Sequence, residues 1–357
     1  MVTADRPPRN AFVKAVRHIY NPIGFSKGYN AILWFITCGA LFGFSLAKLP
    51  AIDLYGQFCN LNEDTTGAAG PGECFHYLQP PYSIGIVLHL ACILPAGVLA
   101  CFQFVPAIRH KLIILHRVNG YIVLLLTLVG MAGVFMIAPV SYGGTVDIQA
   151  GIGILAVMFL GALAMAMINI KKLQIEQHRA WMMRAWVYAG AVITLRLIQI
   201  LTGYIISSFD SYYVAMPCDK LAFTVADDAI MRESYPECAP FLSNQELGHF
   251  ASVRARLMGS EDAAEAAAAL SVGFGVGLWM AALLHLLAVE IYFNLTPVEH
   301  ERLRQYSYKR QLEAGMKNAG YAGLTVDRFG DSEKWVPKPI FSSTEMVTRS
   351  TAYEPLL

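Results

Sequence analysis

The chain has 357 residues, of which 55% are hydrophobic and 15% charged, with a formal net charge of +1. Soluble globular chains carry closer to a quarter charged residues, whereas here the apolar residues come in runs long enough to cross a bilayer. That excludes an ordinary soluble domain. It also leaves nucleic-acid binding without support, because Lys and Arg sit in short clusters beside the apolar runs.

In chain order, residues 1–28 form a basic segment with Arg6, Arg9, Lys14, Arg17 and Lys27 against a single acid, Asp5. No apolar leader opens it, so the first hydrophobic segment is expected to be a retained span. Phe12, Val13, Val16, Ile19 and Tyr20 predict a short interfacial helix. Six spans follow, at Asn30–Leu49, Ser83–Val105, His116–Ala138, Ile148–Ile170, Trp181–Ser207 and Leu270–Phe293. Together they make an all-α, polytopic helix bundle over residues 29–293. The AEAAAAL run reads as a helical lead-in to the sixth span. The remaining residues, 294–357, read as a basic tail of low regular structure beyond about Tyr306.

The amino terminus, the 106–115 and 171–180 loops and the carboxyl tail are the basic connections, which places both termini in the cytosol. The long loops 50–82 and 208–263 are then luminal. The first carries Asp53, Glu63, Asp64 and Glu73, and the second nine more acids. Cys59, Cys74, Cys218 and Cys238 fall in these loops, where disulfides persist. Three pairings are possible, of which 59–74 with 218–238 is the simplest. Cys38, Cys92 and Cys101 lie within spans and read as small packing residues. The sequon at Asn294 falls on the cytosolic side and is expected to stay unglycosylated.

Polar groups within spans are where function is sought. Arg196 lies about 15 residues past Trp181, roughly 22 Å along a helix, and a guanidinium at that depth requires an internal partner or a use. Gln199 and Thr202 follow it at spacings of three, on one face. His89 lies in the second span and Gln103 near its end. His116 and Arg117 open the third span, Glu176, His178, Arg179 and Arg184 surround the start of the fifth, and the sixth supplies His285 and Glu290. The edge arginines have a simpler reading as topology determinants, and Glu290 as a group that snorkels to the surface.

Two chemistries fit these residues. Histidines on neighbouring helices can ligate haem b, with His116, His178 and His285 as candidates on the cytosolic half; the luminal half offers His89 alone within a span. Alternatively, an acid such as Glu290 or Asp53, raised in pKa by burial, protonates an alkene or epoxide. Trp34, Phe104, Trp181, Trp186, Tyr188 and Trp279 would then stabilise the cation through their π-faces. No DDxxD, HExxH or P-loop motif is present, so a metal-dependent diphosphate-ionising reaction is unsupported and metal-free acid catalysis stays open. A transporter or assembly factor, with Arg196 as a substrate or lipid contact, is the non-enzymatic alternative.

The run from His89 through PAIRHK to His116-Arg117-Val118-Asn119-Gly120-Tyr121 resembles the predicted-membrane-protein family called domain of unknown function 2306. The second half of its pattern is Gln177-His178-Arg179-Ala180-Trp181-Met182-Met183-Arg184, then Thr194-Leu195-Arg196, so that the resemblance covers about residues 83–200. Long luminal loops, His285 and the basic tail give the chain the look of a fungal member. The resemblance implies an endomembrane protein, of the endoplasmic reticulum or a related compartment, in a natural-product pathway. By analogy with membrane-bound terpene cyclases, it implies an isomerase or lyase that cyclises a meroterpenoid intermediate without a cofactor. A prenyltransferase and a monooxygenase of the same pathway would be its functional associates, and a lipophilic small molecule its substrate. In that reading Glu290 is the proton donor, and His89 and Arg196 join it at the catalytic centre. Gln103, His116, His178, Arg184, Gln199 and His285 bind substrate.

Overall fold

A computed structural model describes residues 7–60, 67–243, 245, 248–260 and 262–338. Asp5, Arg6, Glu63, Asp64 and the tail beyond 338 lie outside the described residues. The helices are α1 Ala11–Tyr20, α2 Gly28–Lys48, α3 Cys74–Tyr77, α4 Tyr82–Gln103, α5 Pro106–Lys111, α6 Ile113–Ile137, α7 Val146–Lys171 and α8 Ile175–Ser207. Then come α9 Cys218–Val225, α10 Asp228–Ser234, α11 Ala239–Leu242, α12 Ala263–Leu295, α13 Pro297–Glu313 and α14 Val326–Phe329. Among the described residues, six segments are long and apolar enough to cross a membrane: Gly28–Ile52 and helices α4, α6, α7, α8 and α12. The protein is therefore an all-α, multi-pass membrane protein. The fifth and sixth spans start earlier than the sequence suggests. Glu176 and the alanine run at 266–269 are strong helix formers, and they extend α8 and α12 past the apolar windows.

The chain divides into two compact units, Met1–Ala156 with Gly190–Leu284 and Val157–Ala189 with His285–Leu357. In the first, small residues let helices approach closely, as is common among membrane helices. A Cβ on Gly133 of α6 would lie 2.5 Å from the Gly85 carbonyl oxygen and 2.7 Å from the His89 nitrogen, both on α4. On α12, a Cβ at Gly273 would lie 2.5 Å from the Gln199 carbonyl oxygen, and one at Gly277 2.8 Å from that of Leu195. This second contact seats the Arg196 turn of α8 directly on α12. Ile148, Leu195, Phe274, Leu278 and Ala281 pack around it.

Loop 208–263 has a core of its own. Strand β1, Tyr213–Pro217, pairs antiparallel with β2, Phe250–Arg254, with Ala215 opposite Ser252. Leu221, Met231, Tyr235 and Val253 are buried there around the Cys218–Cys238 disulfide. A second disulfide, Cys59–Cys74, lies in a cluster with Leu54, Tyr77, Ile86 and Ile137. Helix α1 has the amphipathic pattern of an interfacial helix and buries none of its residues, with Phe12 and Ile19 exposed.

In the second unit the described part of the tail, residues 294–338, is more ordered than the sequence suggests. Helix α13 turns Ser307 and Gln311 into a fully buried hydrogen-bond network with Asn169, Gln174 and Glu176. Ser307 Oγ donates to Glu176 Oε2 at 2.5 Å, and Gln311 Nε2 donates to the Lys172 carbonyl at 3.0 Å. Beyond α13, the Gly323 N–H donates to Gln174 Oε1 at 2.9 Å and Arg304 forms a buried ion pair with Asp327 at 2.6 Å. Composition misleads here because the segment folds on buried polar contacts and shows no apolar period.

Candidate functional site

Tyr142 holds a strained position in the first unit. It lies in the turn between α6 and α7 with φ 49° and ψ 44°, the left-handed region that costs a bulky side chain energy. Its surroundings hold it there on every side. The backbone N–H donates to Glu73 Oε2 at 2.9 Å, the backbone carbonyl accepts from Ser271 Oγ, and the ring stacks on Phe274 with centroids 4.4 Å apart. Its phenol oxygen accepts from the Arg196 guanidinium at 2.7 Å.

Glu73 immediately precedes α3 and the disulfide-bonded Cys74, in a turn made by Gly72 at φ +74°. The position has no room for a side chain, since a Cβ there would lie 2.8 Å from Thr224 Oγ1 on α9. The turn tucks Glu73 inward until it is 5% exposed. Lys220 of α9, also buried, brings Nζ to 3.6 Å from Glu73 Oε1, an ion pair without hydrogen-bond contact. Tyr77 reaches Glu73 Oε2 at 3.4 Å and Ser141 Oγ at 3.2 Å. Burial pushes the Glu73 carboxyl above the ordinary range, outweighing the opposing pulls of Lys220, the Tyr142 N–H, Arg196 and Tyr77. His76, one turn further on, is pushed down by burial and by Lys220. Glu73, His76, Tyr142, Lys220 and Ser271 face a cavity of about 80 Å³ closed on another side by β1.

The arrangement combines a buried, protonatable acid, a buried ammonium and an aromatic stack backed by a guanidinium. Chemically it can hold a proton on Glu73 in an enclosed space and place π-faces beside whatever accepts it.

Of the residues singled out in the sequence, Arg196 and Gln199 join this site. Arg196 donates to Gln199 Oε1 at 2.9 Å, and Gln199 Nε2 donates to the Leu270 carbonyl at 2.9 Å. His89 does not bond to Arg196; its Nδ1–H donates to the Gly130 carbonyl on α6 at 3.3 Å. Gln103 donates to the backbone carbonyl of His116 at 3.1 Å. His178, Arg184, His285 and Glu290 belong to the second unit.

There, Glu290 accepts from Arg184 through both oxygens, at 2.6 and 2.9 Å. Arg184 is itself stacked between Trp181 and Phe293, at 4.7 and 4.6 Å from their ring centroids. This fork matches an ionised carboxylate, so Glu290 is not presented as the acid the sequence suggests. Asp53 is not either; it is exposed and accepts from the Gly56 N–H at 2.9 Å to make a turn. His178 Nδ1–H donates to the Ala166 carbonyl at 3.0 Å, and His285 Nδ1–H to that of Val187 at 2.6 Å. The aromatics expected to line a cavity do other work: Trp34 packs on Phe25, Trp186 on Phe159, and Trp279 donates to the Asp147 carbonyl.

Sequence reasoning passed over Glu73, His76, Tyr142 and Lys220. Glu73 and Lys220 are ordinary loop charges until the disulfides fold their loops inward. The available signal was the placement of each within two residues of a loop cysteine. Tyr142 carried a signal too, as a large residue directly before Gly143 and Gly144.

Residues 86–220 match the model of the family described as "Predicted membrane protein (DUF2306)". The chain is also similar to "Ava biosynthesis cluster protein G" of Aspergillus versicolor. The two are 24% identical over 314 residues, covering 76% of this chain and 90% of that protein. No solved structure matches the chain.

Proposed function

We propose that the protein is a membrane-bound, acid-initiated cyclase of a natural-product pathway, acting on an epoxidised or olefinic prenyl chain, with Glu73 as the proton donor. The observation that carries this reading is Glu73 itself, buried, raised in pKa and facing a cavity beside the Tyr142–Phe274 stack. In the protonated form it gives its proton to the alkene carbon or epoxide oxygen. The π electrons of the chain close the ring, and the resulting cation loses a proton or is captured by a hydroxyl of the same molecule. Atoms balance, and product and substrate have equal mass. Tyr142, whose ring lines the cavity, stabilises the cation, with Phe274 stacked behind it and Arg196 bonded to its phenol oxygen. A cavity of about 80 Å³ suits the reacting end of a chain rather than its whole length.

Similarity to a fungal biosynthesis-cluster protein supports a pathway role. The expected setting is an endomembrane, with the disulfide-bearing loops in the lumen and both termini in the cytosol. The test is conversion of an epoxy-prenyl substrate to a cyclised product of equal mass by microsomes carrying the protein. Glu73→Gln should lower the rate about 10²-fold or more. Full activity in that variant would remove Glu73 from the mechanism.

One observation favours a second reading, a b-type haem oxidoreductase. His178 and His285 each donate Nδ1–H to a backbone carbonyl, the hydrogen bond that orients the ring of a metal-ligating histidine. A Soret band in purified protein, lost in His285→Ala, would establish it over the cyclase.

A further inference from the structure

The charges around the Glu73 cavity do not balance. Lys220, with 7% of its side chain exposed, and Arg196 face one carboxylate, Glu73. Among the described residues no carboxylate lies within 4 Å of Arg196, whose terminal NH1 serves Tyr142 and Gln199. The reading of Glu73 as a proton donor sharpens the imbalance. Once Glu73 is protonated, neither Lys220 nor Arg196 keeps a carboxylate within 4 Å among the described residues, and the other acid acting at the cavity, Asp219 of α9, acts on His76. Two such cations are unfavourable at low dielectric.

We propose that this cavity recognises an organic anion, a carboxylate or phosphate group carried by the substrate, and that Glu73 takes up a proton as the anion binds. Lys220 lines the cavity and meets the anion directly. Arg196, one ring behind, contributes through Tyr142, whose OH it holds and whose face it covers at 5.0 Å from the centroid. The bound anion replaces the Glu73 carboxylate as partner of Lys220, and Glu73 then carries the proton that the chemistry consumes. The charged and titratable groups facing Glu73 are Lys220 from α9, Tyr77 and His76 from α3, Tyr142 from the α6–α7 turn and Arg196 from α8. His76 is held towards its neutral form, which makes it a poor substitute for Lys220 as the anion's partner. This inference rests on the reading of Glu73 as the acid, and it is tested by binding rather than turnover.

The experiment is calorimetric titration of the full-length protein in phosphatidylcholine nanodiscs with butyrate and, separately, inorganic phosphate. Two buffers of different ionisation enthalpy count the protons. Saturable binding of at least one probe is expected, with net proton uptake and tightening as pH falls. Lys220→Met should weaken binding about tenfold or more, Lys220→Arg should retain it, and Glu73→Gln should bind without proton uptake. Nanodiscs containing phosphatidic acid separate the sources. Butyrate binding weakened there identifies a lipid phosphate as the anion, and unchanged binding identifies a soluble or substrate-borne one. No saturable binding of either probe, or equal binding in Lys220→Met, would overturn the anion site. Binding without proton uptake in the unmodified protein would overturn the coupling. Binding as expected without cyclisation would leave the anion site standing and remove the cyclase reading alone.

Discussion

The backbone N–H of Tyr142 donates to Glu73 Oε2 at 2.9 Å, and through Tyr142 the acid is tied to a guanidinium embedded in a span, because the phenol oxygen accepts from Arg196 at 2.7 Å. A residue held at φ 49° by contacts at its amide, carbonyl, ring and hydroxyl is expected to be sensitive to each of them. Tyr142→Phe keeps the stack and the backbone geometry but leaves the Arg196 NH1 with Gln199 alone. The expected loss is about 1.5–3 kcal/mol, the range for hydrogen bonds to charged groups. Tyr142→Gly relieves the backbone strain yet removes stack and hydroxyl together, and should cost more. Thermal unfolding in detergent orders the two variants; a Tyr142→Phe protein as stable as the unmodified one would mean that the phenol–guanidinium contact carries no weight.

The pH dependence of this site has a definite sign. Burial raises the Glu73 carboxyl above its ordinary value, so between that value and the raised one the folded protein holds a proton that the unfolded chain has released. Glu73 therefore costs no stability below the ordinary carboxylate range, and its contribution becomes increasingly unfavourable as pH rises through the window. Glu73→Gln should flatten that part of the stability–pH curve and gain on the unmodified protein at the alkaline end. Turnover, which needs the protonated acid, should fall over the same rise in pH and lose that limb in the variant. A stability difference between the two proteins that does not change with pH would contradict the assignment.

The six spans were legible because lipid demands long apolar runs, and no tertiary contact is needed to recognise them. Arg196 stood out for the same reason, as a charge where the solvent is hydrocarbon, and Gln199 followed from helical spacing alone. Glu73 and Lys220 are the opposite case. They sit in polar loops where charge is ordinary, and their burial depends on two disulfide-closed loops folding over one another near the α6–α7 turn. Glu290 illustrates the complementary error. An acid among apolar residues is conspicuous in sequence, but its partner Arg184 lies 106 positions away, and only the fold shows that both oxygens are already engaged.

That pairing makes Glu290 a control for Glu73. The Arg184–Glu290 pair is part-exposed, with 18% and 42% of the two side chains accessible, so its contribution is expected near the surface-pair range of about 0.2–1 kcal/mol. Glu290→Gln should lower stability by no more than that and leave cyclisation within about twofold. Arg184→Ala removes the stacking on Trp181 and Phe293 as well and should cost more. A 10²-fold loss of turnover in Glu290→Gln would return the acid to the second unit.

Gln311 should prove one of the costliest positions outside the spans. Its Nε2 donates to the Lys172 carbonyl at 3.0 Å and to Gln174 Oε1 at 2.9 Å, while its Oε1 accepts from the Gly320 N–H at 2.6 Å, all without solvent access. Gln311→Leu matches the volume and leaves the Gly320 donor and the Lys172 acceptor stranded. At about 1–3 kcal/mol for each of the two buried groups left unpaired, roughly 2–6 kcal/mol is at stake. The loss should release the segment beyond α13, because the Gly320 N–H rests on the Gln311 amide and the Gln174 oxygen that accepts from Gly323 is itself held by Gln311 Nε2. Limited proteolysis should then cut between residues 314 and 338 well before the spans unfold. Glu313→Ala, two residues along in an exposed pair with Arg310, should change stability by under about 0.5 kcal/mol. If Gln311→Leu resists protease as well as Glu313→Ala does, the tail is anchored by something other than this network, with Arg304–Asp327 next to be tested.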